Sequence, residues 1–333
     1  MKPLIHRIAA AAALLCALVP AQSALAADKV ALVVKSLGNG FFDAAHQGAL
    51  DAAKELKDIE IIYTGPAKAT AEGQIEIVNS LIAQNVKAIV ISANDPDALV
   101  PALKKAMLRG IKVISFDSGV RREGRLMQLN PSNNALIGEK LAKMSQQVVG
   151  KSGEIAVLSA TAQATNQNIW IGEMKKALAR PEYAGLKLVS VVYGDDQTDK
   201  SYREAQGLFK SHPNLKAIVA PTTVGIAAAA KAVQDEKKVG QIYVTGLGLP
   251  SEMAGHVKSG AVKSFAIWNP IDLGYASIYA AHAFIKGEAK GVKGEVIGMG
   301  RVGKATLDDN AEAAMAEPFT YDASNVDKFA KIF

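Results

Sequence analysis

The stretch VALVVKSLGNGFFDAAHQGALDAAKEL, residues 30–56, contains the two elements whose repetition decides the fold. It begins with strand-forming residues and reaches Lys35, after which Asn39 stands between two glycines. From Phe42 onward, apolar residues recur at the three- and four-residue spacing of an amphipathic helix. This order predicts a strand, a tight polar corner and a helix, which together form the first half of a βαβ unit. Phe41 and Phe42 are unusual in such a corner, so one of the rings is a candidate for ligand contact.

Strand and helix patterns alternate along most of the chain. The predicted strands cover 30–34, 59–63, 88–91, 113–116, 155–159, 186–192, 217–220, 242–245 and 264–267. The predicted helices cover 42–56, 76–84, 98–109, 167–178, 202–210, 224–234, 251–258 and 273–286, with a further helix capped by Asn133 or Asn134. Each strand is a short, nearly continuous apolar run, which is typical of a parallel strand covered by helices on both faces. The sequence therefore predicts an α/β protein with doubly wound parallel sheets, in two lobes because the strands are too many for one such sheet.

Residues 1–26 are predicted to be a secretory signal peptide. Lys2 and Arg7 give it a positive start, an apolar run follows, and Ala24–Ala26 matches a small-x-small cleavage site. The apolar run is too short to span a bilayer. Cys16 is the single cysteine of the chain, so the expected mature protein has neither a disulfide nor a reactive thiol. We therefore expect a protein of the periplasm of a Gram-negative bacterium, where unpaired thiols risk oxidation.

Composition and motifs favour a binding protein over a nucleic-acid-binding protein or an enzyme. The net charge is +6, but no segment carries a dense basic run, so nucleic-acid binding is not predicted. The sequence has no G-x-S-x-G elbow, and its histidines show no metal-ligand spacing. Gly246–Gly248 follows a predicted strand but lacks the third glycine of a dinucleotide turn. We expect no catalytic residue, no metal and no cofactor, and a periplasmic sugar-modifying enzyme stays a distant alternative.

Polar and aromatic residues follow the predicted strands at the points where the strands end. In an open α/β sheet, ligands bind outside the carboxyl ends of the strands, so these corners form the candidate site. The candidate ligand-binding residues are Lys35, Asn39, Phe41, Asn94, Asp95, Asp117, Asn166, Gln167, Pro221, Thr223, Trp268 and Asn269. Carboxylates, amides and hydroxyl groups bind sugar hydroxyls, and aromatic rings pack on the apolar face of a pyranose. The corners therefore predict a small sugar as the ligand.

Several of these residues also have a structural interpretation. We expect Phe41 to face the ligand, whereas Phe42 lies on the apolar stripe of the helix and is expected in the core. Asn94 and Asp95 precede a proline and also fit a turn and a helix N-cap. Trp268 either stacks on the ligand or fills the core.

Four segments resemble the periplasmic sugar-binding proteins of ABC importers, in particular the ribose-binding type. These segments are NGFFDAAHQGALDAA, ISANDPDAL, VISFDSG and LGYASIYAAHAFIKG. Further matches, among them ALVVKSLGNGFF, ATNQNIW, APTTVG and WNPIDLG, make the chain similar to the rhamnose-binding proteins of proteobacterial importers. The resemblance covers essentially the whole expected mature chain.

The resemblance implies a periplasmic binding protein type I fold, with two Rossmann-like lobes joined by a three-crossover hinge. Lobe 1 is expected at 28–130 plus 269–297, and lobe 2 at 131–268 plus 298–333. The implied function is that of a monomeric receptor, which closes on a small sugar between its lobes and delivers it to the permease of an ABC transporter.

The chain is also similar to the autoinducer-2 binding proteins, and this similarity keeps a second ligand open. The binding residues of that group that match here are Lys35, Asp117, Gln167 and Pro221. Asn166 replaces an aspartate of that group, and Thr223 replaces an alanine. An unpaired buried polar group costs about 1–3 kcal/mol, enough to change specificity. L-rhamnose is therefore the expected ligand and autoinducer-2 the alternative, while Ser118 and Gly248 depart from the ribose-binding pattern.

Overall fold

The computed structural model describes residues 27–333, and the predicted signal peptide at 1–26 lies outside this range. The strands are β1 (Asp28–Val33), β2 (Ile59–Thr64), β3 (Ala88–Ile91), β4 (Lys112–Phe116), β5 (Met127–Asn130), β6 (Gly153–Ser159), β7 (Leu186–Tyr193), β8 (Leu215–Ala220), β9 (Tyr243–Gly246), β10 (Ser264–Ile267), β11 (Val296–Gly298), β12 (Lys304–Thr306), β13 (Glu312–Ala314) and β14 (Phe319–Asp322). The helices are α1 (Gly40–Leu56), α2 (Ala71–Ala83), α3 (Val100–Leu108), α4 (Asn134–Val149), α5 (Thr165–Leu178), α6 (Thr198–Ser211), α7 (Thr223–Asp235), α8 (Pro250–Lys258), α9 (Pro270–Ile285) and α10 (Val326–Phe329). Across this range, no helix is both long enough and apolar enough to cross a membrane.

The first sheet has six strands in the order β13-β5-β4-β3-β1-β2, and every pairing in it is parallel. Helices cover both of its faces, as the alternating residues of β1 show. Val30 and Leu32 pack in the same core as α1, whereas Ala31 and Val33 pack in a separate cluster with α2 and α3. A strand covered on both faces needs no polar side, which explains its continuous apolar sequence. We call this sheet with α1, α2, α3 and α9 lobe 1.

The second sheet has the parallel order β7-β6-β8-β9. Isolated parallel bridges, Val244 with Val262 and Leu247 with Ala266, continue it toward β10, which pairs antiparallel with β14. We call these strands with α4 to α8 and α10 lobe 2. The predicted fold class, with two doubly wound parallel sheets, is confirmed.

The chain passes between the two lobes three times: after β5, between β10 and α9, and after β13. The expected lobe boundary at 298 is wrong, because Glu312–Ala314 pairs in parallel with Gln128–Asn130 in the sheet of lobe 1. A three-residue strand that begins with glutamate has too little apolar pattern to be found from sequence. Tertiary contacts fix it instead, among them the ion pair of Arg125 with Glu312 at 2.6 Å. The short elements β5, β11, β12, β14 and α10 were not predicted either.

Close helix packing brings the corner before α1 next to the corner before α9. A Cβ atom at Gly48 would lie 1.8 Å from the carbonyl oxygen of Ile271, and one at Gly274 would lie 1.9 Å from that of Ala45. Glycine therefore allows the two helix backbones to meet directly. An asparagine side chain caps the start of each helix. The two corners that carry Phe41 and Trp268 are thereby held side by side.

Candidate ligand-binding site

A cavity lies between the two lobes, where the sequence predicts the site. The cavity is partly open to solvent. The cavity is lined by Lys35, Asn39, Phe41, Phe42, Asp117, Asn166, Gln167, Trp170, Asp196, Pro221, Thr222, Thr223, Leu247, Ile267 and Trp268. The structure therefore brings together all the predicted site residues except Asn94, Asp95 and Asn269.

A charged centre of three side chains joins the two lobes at this cavity. Asn166 of lobe 2 donates a hydrogen bond from Nδ2 to Asp117 Oδ1 at 2.8 Å. Its Oδ1 accepts one from Lys35 Nζ at 3.1 Å. The Lys35 ammonium also lies 3.8 Å from Asp117 Oδ2, and this oxygen accepts a hydrogen bond from the Ser92 hydroxyl at 2.7 Å. Both carboxylate oxygens of Asp117 thus have partners in the protein.

The charged pair of this centre is almost fully buried, with 4% of Lys35 and 5% of Asp117 exposed. Burial of a charge is costly unless an opposite charge and hydrogen bonds replace water. Here each of the two residues provides the counter-charge of the other. Asp117 has a left-handed φ of 55°, a conformation that is uncommon outside glycine and clusters at functional sites. We call Lys35, Asp117 and Asn166 the charged centre.

Gln167 is fixed in the first turn of α5 in one orientation. Its Oε1 accepts hydrogen bonds from the Ser159 hydroxyl at 2.7 Å and from the Ala160 N–H at 2.8 Å. Because the carbonyl oxygen is occupied, the Nε2 amide is the part of Gln167 that can donate to a ligand.

Aromatic rings form one wall of the cavity. Trp268 lies edge-on to Phe41, with ring centroids 6.3 Å apart, and edge-on to Trp170 at 5.5 Å. The Trp170 Nε1–H donates to Asn134 Oδ1 at 2.8 Å, whereas the buried Nε1 of Trp268 has no partner within residues 27–333. Phe42 lies in the core, as predicted, and also borders the cavity. We call Phe41, Trp170 and Trp268 the aromatic wall.

Asn94, Asp95 and Asn269 have supporting positions outside the cavity lining, and their contact with a ligand stays a prediction. Asn94 Nδ2 donates to the backbone carbonyl of Lys35 at 2.9 Å and so stabilises the backbone position of the lysine. Asp95 Oδ1 accepts two backbone N–H bonds of its own turn, both at 2.8 Å. Asn269 caps α9 through the Ile271 N–H at 3.0 Å. These hydrogen bonds give the three side chains structural roles beside the cavity.

Asp196 and Thr222 line the cavity, although neither was predicted from the sequence. The Thr222 hydroxyl donates a hydrogen bond to Asp196 Oδ1. Burial raises the pKa of the Asp196 carboxyl, while the Thr222 hydrogen bond and the charge of Lys35 oppose the rise. Asp196 lies in the stretch GDDQTDK, which is typical of a solvated turn. Its position after a predicted strand was the signal that could have identified it.

The cavity chemistry consists of hydrogen bonding and apolar contact. In the part of the chain that the structure describes, no three histidine, cysteine or acidic side chains gather as metal ligands. The polar lining combines carboxylates, amides, hydroxyls and one ammonium group beside aromatic rings. Such a lining can bind a small polyhydroxylated molecule from both lobes at once.

Comparison with known proteins identifies the family. Residues 30–289 match the family model described as a periplasmic binding protein domain. The D-ribose/D-allose-binding protein of Pseudomonas aeruginosa is 32% identical over 251 residues, which cover 72% of this chain and 76% of that relative. The chain therefore belongs to the periplasmic binding protein family.

Two solved structures show the same fold. A solute-binding protein of an ABC transporter from Clostridium phytofermentas with bound L-rhamnose is 36% identical, with a TM-score of 0.89 over 92% of this chain and 99% of that one. A protein from Clostridium saccharobutylicum in complex with AI-2 has a TM-score of 0.84 over 90% of this chain and 99% of that one, but at 22% identity this likeness concerns the fold alone. The predicted family and fold are confirmed, and so is the prediction of a binding protein rather than an enzyme.

Proposed function

We propose that the protein is a periplasmic receptor of an ABC transporter and that it binds L-rhamnose between its lobes. The observation that carries this proposal is the charged centre, which joins the lobes beside the aromatic wall. A monosaccharide offers hydroxyl groups for charge-assisted hydrogen bonds and an apolar face for an aromatic ring. The site provides both kinds of contact in one cavity.

The side chains take different parts in binding. Asp117 accepts hydrogen bonds from ligand hydroxyls, whereas Lys35 and the Gln167 Nε2 amide donate to ligand oxygens. The Trp268 Nε1–H, which is buried without a partner within the described residues, is a further donor. Phe41 and Trp268 cover the apolar face and the 6-methyl group of the deoxyhexose. Ligand groups thereby replace or extend the contacts of the charged centre.

Binding is coupled to closure of the two lobes. The charged centre already joins lobe 1 to lobe 2 through hydrogen bonds of 2.8 and 3.1 Å. A ligand that binds groups of both lobes stabilises the closed arrangement relative to an open one. The closed, liganded form then docks to the transmembrane subunits of the permease. The family match and the predicted signal peptide support the periplasmic location, and we propose that the receptor acts as a monomer.

Asn166 favours rhamnose over autoinducer-2 as the ligand. Its Nδ2 amide donates the bond that joins Asp117 to lobe 2 at 2.8 Å. An ionised aspartate, which the autoinducer-2 group has at this position, could not donate that bond. The similar solute-binding protein with bound L-rhamnose supports the same choice. Autoinducer-2 stays the second candidate because Lys35, Asp117 and Gln167 are shared with that group.

Calorimetric titration tests the proposal. The protein without residues 1–26 is unfolded, washed and refolded to remove bound sugar, and then titrated with L-rhamnose, D-ribose, other deoxyhexoses and autoinducer-2. We expect micromolar or tighter binding of L-rhamnose, with the sugar recovered unchanged by chromatography. A preference for autoinducer-2 would overturn the proposed ligand, and binding of no sugar would overturn the receptor function. Recovery of a changed sugar would favour the sugar-modifying enzyme.

A further inference from the structure

Asp196 differs from the other charged residues of the cavity because the protein leaves it largely without partners. Lys35 and Asp117 also line the cavity, and they are paired with each other. Within residues 27–333, Asp196 forms no ion pair, and its side chain accepts a single hydrogen bond, from Thr222 to Oδ1. Its Oδ2 oxygen therefore has no protein donor in this range.

The fold holds Asp196 at the space between the lobes. Asp196 borders the cavity and also a second groove at the edge of the cleft. Asp195 and Asp196 have left-handed φ angles of 54° and 50°. The two carboxylates nevertheless differ, because Asp195 pairs with Lys200 at 2.6 Å. Within this turn, Asp195 thus has a counter-charge, whereas Asp196 lies at the cavity without an ion pair.

We propose that Asp196 contacts the ligand directly and accepts a hydrogen bond from one sugar hydroxyl, supplying from lobe 2 the carboxylate that Asn166 lacks. This inference rests on the proposed function as a sugar receptor. Asp196 is half-buried and forms no ion pair, so its carboxylate has lost part of its hydration, and a hydroxyl donor compensates this loss through a charge-assisted bond. Asp117 and Asp196 then hold the sugar from opposite lobes, so both bonds form only when the lobes close.

This role makes Asp196 a residue that determines specificity. A site built to bind a hydroxyl group rejects an analogue without it, because the buried acceptor is then left unpaired. One particular hydroxyl of the sugar is therefore essential for the contact with Asp196. The other hydroxyls are bound by the charged centre and by Gln167.

The same contact makes binding depend on pH. Burial is the main cause that raises the pKa of Asp196, and the charged groups that face it are Lys35, Asp117 and Asp195. A hydroxyl donor favours the ionised carboxylate, so the bound ligand lowers this pKa again. Ligand binding therefore releases a proton at a pH between the two values. Affinity rises as the pH rises through this interval and falls as the protein is acidified.

The experiment combines Asp196→Ala with single-deoxy analogues of L-rhamnose at the 2, 3 and 4 positions. Calorimetry gives the affinity of wild-type and variant protein for each sugar, and titrations in two buffers of different ionisation enthalpy give the proton release. We expect D196A to bind L-rhamnose about 10- to 100-fold more weakly and to lose the proton release. One deoxy analogue should bind wild-type protein more weakly than L-rhamnose does, by a similar factor. D196A should bind this analogue and L-rhamnose equally well, because the substitution and the missing hydroxyl remove the same interaction.

Asp195→Asn is the matched control, because it alters the adjacent carboxylate that pairs with Lys200. We expect this control to bind L-rhamnose as the wild type does. If D196A does not fold, Asp196→Asn replaces it, and thermal unfolding identifies this case. Wild-type affinity in D196A or D196N would overturn the inference while leaving the receptor function intact. The same holds if D196A loses affinity, relative to wild type, by the same factor for every deoxy sugar. Failure of wild-type protein to bind any of the sugars would overturn both.

Discussion

The aspartates that follow β4 in lobe 1 and β7 in lobe 2 bring carboxylates to the same cavity in different ways. Both have a left-handed φ, 55° for Asp117 and 50° for Asp196. Asp117 comes directly after its strand and accepts hydrogen bonds from Ser92 at 2.7 Å and from Asn166 at 2.8 Å. Asp196 comes later in a turn and accepts one bond, from Thr222.

The difference shows how a carboxylate at the cavity can serve either the protein or the ligand. The partners of Asp117 stabilise its position and join the lobes, so its removal affects both folding and binding. The few partners of Asp196 leave hydrogen-bonding capacity for the ligand, so its removal should affect binding alone. Four further experiments test this comparison, from the largest expected effect to the smallest.

Asp117→Ala should have the largest effect, because Lys35 loses its counter-charge and the ligand loses an acceptor. We expect affinity for the sugar to fall about 100-fold or more and the free energy of unfolding to fall by about 1–3 kcal/mol. Calorimetry and chemical denaturation measure the two quantities. Ser118→Ala is the control, because the adjacent buried hydroxyl has no partner within residues 27–333 and should matter little. A D117A protein that binds sugar nearly as well as wild type would contradict the central position of Asp117.

Asn166→Asp should show whether the neutral amide is required beside Asp117. The new carboxylate would face Asp117 Oδ1 across a contact that is now a 2.8 Å hydrogen bond. Repulsion of the two charges should weaken rhamnose binding about 10-fold, and more at pH 8 than at pH 5, where the pair can share a proton. Calorimetry at both pH values measures this, with the exposed Asn168→Asp on the same helix as the control. An equal loss of affinity for L-rhamnose in both variants would show that the added negative charge alone, and not its place beside Asp117, weakens binding.

Phe41→Leu should affect binding more than stability, whereas Phe42→Leu should do the reverse. Phe41 belongs to the aromatic wall, and loss of its ring should weaken rhamnose binding about 3- to 10-fold. Phe42 is 2% exposed and packs edge-on against Phe116 at 6.5 Å, so its loss should lower the unfolding temperature. Titration and thermal unfolding of both variants separate the two roles. The assignment of Phe41 to the ligand fails if the two variants bind equally well.

Glu252→Gln should have the smallest effect and concerns a third carboxylate between the lobes. Glu252 of α8 lies against the start of α1, since a Cβ atom at Gly40 would be 2.9 Å from its Oε1. Partial loss of hydration at this contact raises the pKa of Glu252 from 4.5 to about 7. The folded protein thus favours the protonated form. The contribution of the Glu252 carboxyl to the free energy of unfolding is therefore present below pH 4.5 and is lost as the pH rises toward 7.

Thermal unfolding at pH 5 and pH 8 tests this prediction. From pH 5 to pH 8, the unfolding temperature of the wild type should fall by about 2–4 °C more than that of E252Q. The effect is small because much of Glu252 is exposed and because the positive ends of α1 and α8 favour the carboxylate. An identical pH dependence in both proteins would show that Glu252 titrates normally.

The comparison of the two aspartates also explains which site residues could be predicted. Asp117 ends a continuous apolar run, so its place at the cavity followed from the strand pattern. Asp196 lies among other polar residues, and no pattern separates it from Asp195. Asn94 and Asn269 were chosen for the same reason as Asn166, because an asparagine that caps a helix and one that lines a cavity look alike in sequence. Only the partners of their side chains distinguish them.

The sequence by itself determined the alternation of strands and helices, the parallel sheets in two lobes and most of the corners at the cavity. Apolar runs and helical stripes are local patterns, and local patterns are visible in a sequence. Tertiary structure alone decided the pairing of Glu312–Ala314 with β5, the approach of Asn166 to Asp117, and the contrast between Asp195 and Asp196. Each of these depends on residues far apart in the chain or on the direction of one side chain, which are set only when the lobes pack together.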